Sequence, residues 1–171
     1  MKNNSKNRQE GFSLIEMVVY IAILVFMLAI ILEVVLSVSR SEQAIESARN
    51  VENSAALALE RISREIRLAE SVNTASSTLG VHPGRLILSG VDNEGDPRTV
   101  EFYFSQGKVM MRENGVSLGA LTESKATATS LIFYRFASST TEGIRTRITL
   151  ESGTSTNFKV ETFYSSTLIR Q

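Results

Sequence analysis

EGFSLIEMVVYIAILVFMLAI, residues 10–30, opens with a charge, a glycine and a phenylalanine and then turns almost wholly apolar. From Phe12 to Leu32 the chain is apolar apart from Ser13 and Glu16. As a helix these 21 residues reach ~31 Å, enough for a hydrocarbon core of ~30 Å. Glu33 then falls at the far interface. The preceding MKNNSKNRQEG carries Lys2, Lys6 and Arg8 against Glu10, so the positive-inside bias keeps it in the cytoplasm and sends the chain beyond Arg40 outside. Arg40 and Arg49 follow the span closely and make that bias modest.

Three readings of this segment stand side by side. A secretory signal has an apolar region of ~7–15 residues and a small-x-small cleavage site; Ser37-Val38-Ser39 is marginal as such a site, and the run before it is too long. A plain single-pass anchor accounts for the length but gives Glu16 no task. The third reading uses the local order of residues. Gly11-Phe12-Ser13-Leu14-Ile15-Glu16, behind a basic leader and ahead of a long apolar helix, resembles the cleavage and methylation motif of type IV prepilins and type II secretion pseudopilins.

That resemblance implies that a prepilin peptidase cuts the Gly11–Phe12 bond on the cytoplasmic side and that the new Phe12 amine is methylated. It also makes Glu16, fifth after the cut, the residue that guides filament assembly by meeting the amine of a neighbouring subunit. Physics supplies a reason. A carboxylate at mid-bilayer costs ~2.5–3.5 kcal/mol or more, but Glu16 lies only ~6 Å along a helix from Phe12 and can stay near the headgroups. Side-by-side packing of helices closes that escape, and a matched charge then rewards docking in one register. No proline precedes Pro83, so the helix is expected to be continuous.

Past the apolar segment, Ile45, Ala48, Val51, Ala55, Leu59, Ile62, Ile66 and Ala69 step by three or four and predict an apolar stripe. Glu60/Arg64 and Arg61/Glu65 read as i,i+4 pairs on wetter faces. The Arg61, Arg64, Arg67 series is a solvated face by its interleaved glutamates, or a strip for a partner or nucleic acid. The polar loop SVNTASSTLG, 71–80, should end the helix. Six β-rich runs follow: 85–90, 98–105, 108–113, 130–137, 144–151 and 157–165, separated by DNEGDP, QG, NG, TTEG and SGTST. Gln106-Gly107 signals a tight hairpin. The expected class is α+β, one long helix across an antiparallel sheet. Its divisions are a leader 1–11, a transmembrane or filament-core helix 12–36, an amphipathic helix 37–72 and a sheet domain 73–171. Segments 56–70, 100–115 and 148–170 resemble by pattern the J-type minor pseudopilins and W-type minor pilins, which points to a minor subunit.

Other chemistry finds little support. With 18 basic and 18 acidic residues the net charge is zero, so no global field recruits nucleic acid. Absence of cysteine excludes disulfides, thiolate zinc sites and a cysteine nucleophile. His82 is the sole histidine. Asp92, Glu94 and Asp96 are weak calcium candidates: an EF-hand loop beginning there needs glycine and glutamate where Pro97 and Tyr103 stand, so a surface turn is favoured. No Gly-x-Ser-x-Gly or phosphate-binding glycine motif occurs. EFYF and IFYRF read as core rather than base-stacking platforms. No enzyme activity and no cofactor are expected. The resemblance implies prepilin peptidase, other pilin or pseudopilin subunits and the cytoplasmic membrane as partners, with an assembly platform and its ATPase acting indirectly. It implies residence in the inner membrane and then in a pilus or pseudopilus at the surface or in the periplasm. An anchored extracellular binding domain outside any filament is the alternative.

Overall fold

The computed structural model describes residues 13–92, 94–138, 141–154 and 157–169. The chain forms two compact units, Met1–Glu42 and Gln43–Gln171. Helix α1, Leu14–Leu68, supplies the described part of the first unit and one layer of the second. In the first unit its apolar side chains are exposed from Leu14 to Val38, as expected of a segment whose solvent is lipid or other helices rather than a core of its own. Ser37-Val38-Ser39 lies within the helix.

In the second unit the chain continues through β1 (Ser71–Val72), β2 (Arg85–Val91), β3 (Pro97–Ser105), β4 (Lys108–Glu113), β5 (Val116–Ala120), β6 (Thr127–Ala137), β7 (Glu142–Ser152) and β8 (Lys159–Leu168). This is the α+β class expected, a pilin-like arrangement of one long helix and antiparallel strands. The strands divide into two sheets, β1-β2-β3-β4-β5 and β6-β7-β8, a division that alternation within each strand does not encode. All pairs are antiparallel. Each sheet has an inward apolar face: Leu86, Phe102 and Met111 lie in register across β2, β3 and β4, and Leu131, Ile148 and Phe163 across β6, β7 and β8. Val51, Ala55, Ile62 and Ile66 of α1 join them in one core.

The two sheets are joined by backbone. Gly80 N–H donates to Phe133 O and Gly84 N–H to Leu131 O, while Thr78 bridges Arg85 at the other side of the same loop. On the β4 side Ala128 N–H donates to Gly107 O. His82 belongs to this seam: its Nδ1 accepts from Leu131 N–H at 3.2 Å, and its ring meets Phe104 edge-on at 4.7 Å. That is a structural histidine.

Several local expectations are corrected. The helix ends at Leu68, and β1 falls inside the stretch read as loop, because the edge of β2 captures the chain: Glu70 N–H donates to Ser89 O and Asn73 N–H to Ile87 O. Ile45 is 50 % exposed and leaves the stripe; at ~100° per residue it stands about 120° from the centre of the face that is buried. The buried face instead recruits Ser47, Ser54, Ala58 and Glu65. The Arg61/Glu65 pair forms at 3.1 Å, but its glutamate side chain is only 2 % exposed rather than on a wet face. Strand β5 was not expected. Its signal was Asn114-Gly115, whose φ values of 48° and 82° match a two-residue hairpin turn, though VSLGA is weakly apolar and ends beside a glycine.

Candidate functional site: the start of the long helix

Gly11 and Phe12, the residues of the expected cut, lie outside the described residues. Ser13 is the first described residue, and α1 begins immediately after it, with Glu16 N–H and Met17 N–H both donating to Ser13 O. Glu16 thus falls in the first turn, where a carboxylate is favoured by the free N–H groups of the helix. It is half-buried among otherwise exposed side chains. One turn on, the Tyr20 hydroxyl donates to Glu16 Oε1 at 3.1 Å. The i,i+4 spacing places the two on one face, so the carboxylate acquires a neutral donor without leaving its own helix. Sequence reading had missed Tyr20; its signal was a phenol four residues after the one acidic residue of an apolar run. Beyond it α1 is the one helix among the described residues long and apolar enough to cross a membrane.

The weak metal candidates sit at the tip of the β2–β3 hairpin. Asp92 Oδ1 accepts from the backbone N–H groups of Glu94 (2.9 Å) and Asp96 (3.0 Å), and Asp92 N–H donates to Asp96 O. The aspartate thereby closes a turn with the oxygen a cation would need. Among the described residues no group of three or more His, Asp or Glu converges as a metal site.

A second constellation escaped sequence reading. Glu65, on the buried face of α1, accepts from Arg98 Nη1 at 2.7 Å and from Arg61 Nη2 at 3.1 Å. Arg98 also gives its Nε to Glu113 at 2.6 Å. The hydrogen bond from Arg98 holds the Glu113 carboxyl below its ordinary value, and the two carboxylates push Arg98 further up. Alternating charges tie α1, β3 and β4 together. With charges this closely matched the cluster is structural.

An apolar helix led by Ser13 and Glu16, followed by an antiparallel sheet domain that packs on the helix's later turns, is an α+β, pilin-like architecture whose apolar start fits a membrane anchor. The comparison with family models agrees: residues 6–32 match the prokaryotic N-terminal methylation motif, which supports the type IV prepilin and pseudopilin family. Comparison with curated proteins and with solved structures gave no match in either case.

Proposed function

We propose that this chain is a structural, minor-class subunit of a type IV pilus or type II secretion pseudopilus, cut after Gly11, methylated on Phe12 and recruited to the filament through Glu16. The observation that carries the reading is the methylation motif at residues 6–32, continuous with an exposed apolar helix. The motif supports processing by prepilin peptidase and assembly with other pilins, and the apolar helix fits anchoring in the membrane. In that membrane the leader faces the cytoplasm and the sheet domain the outside. The Tyr20 hydroxyl keeps the Glu16 carboxylate satisfied near the interface until a neighbour's methylated amine replaces lipid around it. A repeating contact that is not self-complementary then yields an open fibre rather than a ring. The minor-class assignment is supported only by the pattern likeness of 56–70, 100–115 and 148–170 to J-type and W-type subunits.

The test is mass spectrometry of the N-terminal peptide from membranes with and without prepilin peptidase, on the wild-type chain and on Glu16→Ala. The expected result is a peptide starting at Phe12 and carrying one methyl, present only with the enzyme. Glu16→Ala should still be cut, while its share in sheared filaments falls by roughly a hundred-fold or more, the scale of a lost buried ion pair. An intact leader in both samples would overturn the proposal in favour of an anchored binding domain.

A further inference from the structure

Strand β8 is the outer strand of its sheet, joined to β7 through ten consecutive register pairs from Ser152↔Lys159 to Gly143↔Leu168. The opposite edge of the same sheet, β6, is covered by the Gly80 and Gly84 N–H donors described above. Between Lys159 and Leu168, β8 makes no backbone hydrogen bond to any described residue other than those of β7. Edge strands are normally blunted by bulges, prolines or inward charges. Here the pairing runs without a register shift, whereas the β4–β5 edge of the other sheet is bulged. The sequence KVETFYSSTL has no proline, and a lysine only at its start.

The charges beside this edge are lopsided. Tyr164, 64 % exposed, is shared by two open hollows of about 460 Å³ each, one on either side of the strand. On the helix side Arg64 and Arg67 flank Tyr164 and Ser165. On the outer face Arg145 and Arg147 lie between Tyr134 and Tyr164. Among the described residues none of these four arginines has an ion-pair partner. Arg145 reaches only Ser166 Oγ, at 3.4 Å, and Arg147 stacks over the Tyr134 ring at 5.6 Å. Glu60 is the carboxylate of the helix-side hollow, and Glu161 is already engaged by Lys159 at 3.1 Å.

We infer that the edge of β8 accepts an extended acidic segment of a partner protein as an added strand. Side chains of a strand alternate between faces. Carboxylates on one face of the segment then meet Arg145 and Arg147, and those on the other meet Arg64 and Arg67. Strand spacing puts the added backbone about 9–10 Å from β7, within the joint reach of arginine and glutamate side chains. Main-chain hydrogen bonds supply adhesion, and the four guanidiniums supply the choice of sequence. A neutral strand would leave these charges unused, and a basic one would be repelled. The proposal goes beyond processing and helix packing, and it does not depend on them.

The test uses the full chain in non-ionic detergent. The probes are a fluorescein-labelled peptide with glutamates on both faces of a β-prone strand, its glutamine counterpart, the acidic peptide with alternate backbone nitrogens methylated, and an oligothymidylate. The acidic peptide should bind at least roughly ten-fold more tightly than its glutamine and N-methylated forms, and should weaken with salt. R145Q/R147Q and R64Q/R67Q should each lower its affinity by a similar factor with an unchanged melting temperature, and hydrogen exchange of β8 amides should slow when it binds. Equal binding of the N-methylated peptide would overturn strand addition. Tighter binding of oligothymidylate would overturn the peptide in favour of nucleic acid, and binding of none of the probes would overturn the site.

Discussion

At the residue scale, Gly84 shows how a side chain can matter by being absent. A Cβ there would stand 2.7 Å from Leu131 O and 3.2 Å from Ile132 Cα, both backbone atoms of the neighbouring sheet, which cannot swing aside. The close approach is what lets Gly84 N–H reach Leu131 O at 2.9 Å. Gly84→Ala should lower stability by about 1–3 kcal/mol, read from urea denaturation of the chain in detergent. Gly95→Ala is a useful contrast, since nothing lies within 4 Å of a Cβ there and only its positive φ opposes the change; a larger loss at Gly95 than at Gly84 would contradict the account. The Tyr20–Glu16 bond belongs to this scale too. Its spacing is plain in the sequence, but an apolar run hides a tyrosine among residues of similar hydropathy.

At the scale of elements, α1 illustrates why periodicity locates a face yet misjudges its members. Counting apolar letters admits Ile45, which is exposed, and omits Ser47, Ser54 and Glu65, which are buried. Each of these polar groups has a partner: Ser47 Oγ donates to Gln43 O, Ser54 Oγ accepts from Glu123 N–H, and Glu65 receives Arg61 and Arg98. A buried polar group is tolerable only when so satisfied, and two of the three draw on residues distant in sequence. Glu65→Gln should cost about 3 kcal/mol, because it leaves Arg98 and Arg61 facing a neutral amide. Exposed Glu60→Gln should cost less than about 0.5 kcal/mol. Chemical denaturation of both variants checks the pair.

The same cluster sets a pH dependence. The Arg98 hydrogen bond holds the Glu113 carboxyl below its ordinary value of 4.5, so the native state binds that proton less readily than the unfolded chain does. The contribution is complete above the unfolded value and is lost as the pH falls through the lower native one. The urea midpoint of the wild-type chain should therefore drop as the pH falls below about 4.5, and the drop should be shallower in Glu113→Gln. An equal slope in the two would show that other carboxylates carry the acid sensitivity.

At the scale of the whole molecule, every core residue among those described lies at or beyond Val51, and the second unit begins at Gln43. A fragment of residues 43–171 should therefore fold in water without detergent and melt cooperatively by circular dichroism. A fragment that stays aggregated or shows no cooperative transition would mean that the first unit supplies packing the core does not reveal.

What the sequence determined by itself is whatever rests on neighbours along the chain: the apolar run, the order Gly11 to Glu16, the helical period, and the two-residue turns at Gln106-Gly107 and Asn114-Gly115. These are short-range matters of transfer free energy, spacing and backbone conformation, and they carry the class of protein. What only the tertiary structure decided depends on residues brought together from afar. Arg98 reaches Glu65 across 33 positions, the strands separate into two sheets sewn by Gly80 and Gly84, and β8 is left at an edge between two pairs of arginines. Strand alternation states which face is inward but not which strand is a neighbour. The partner of a buried charge and the freedom of an edge are therefore properties of the packed chain alone.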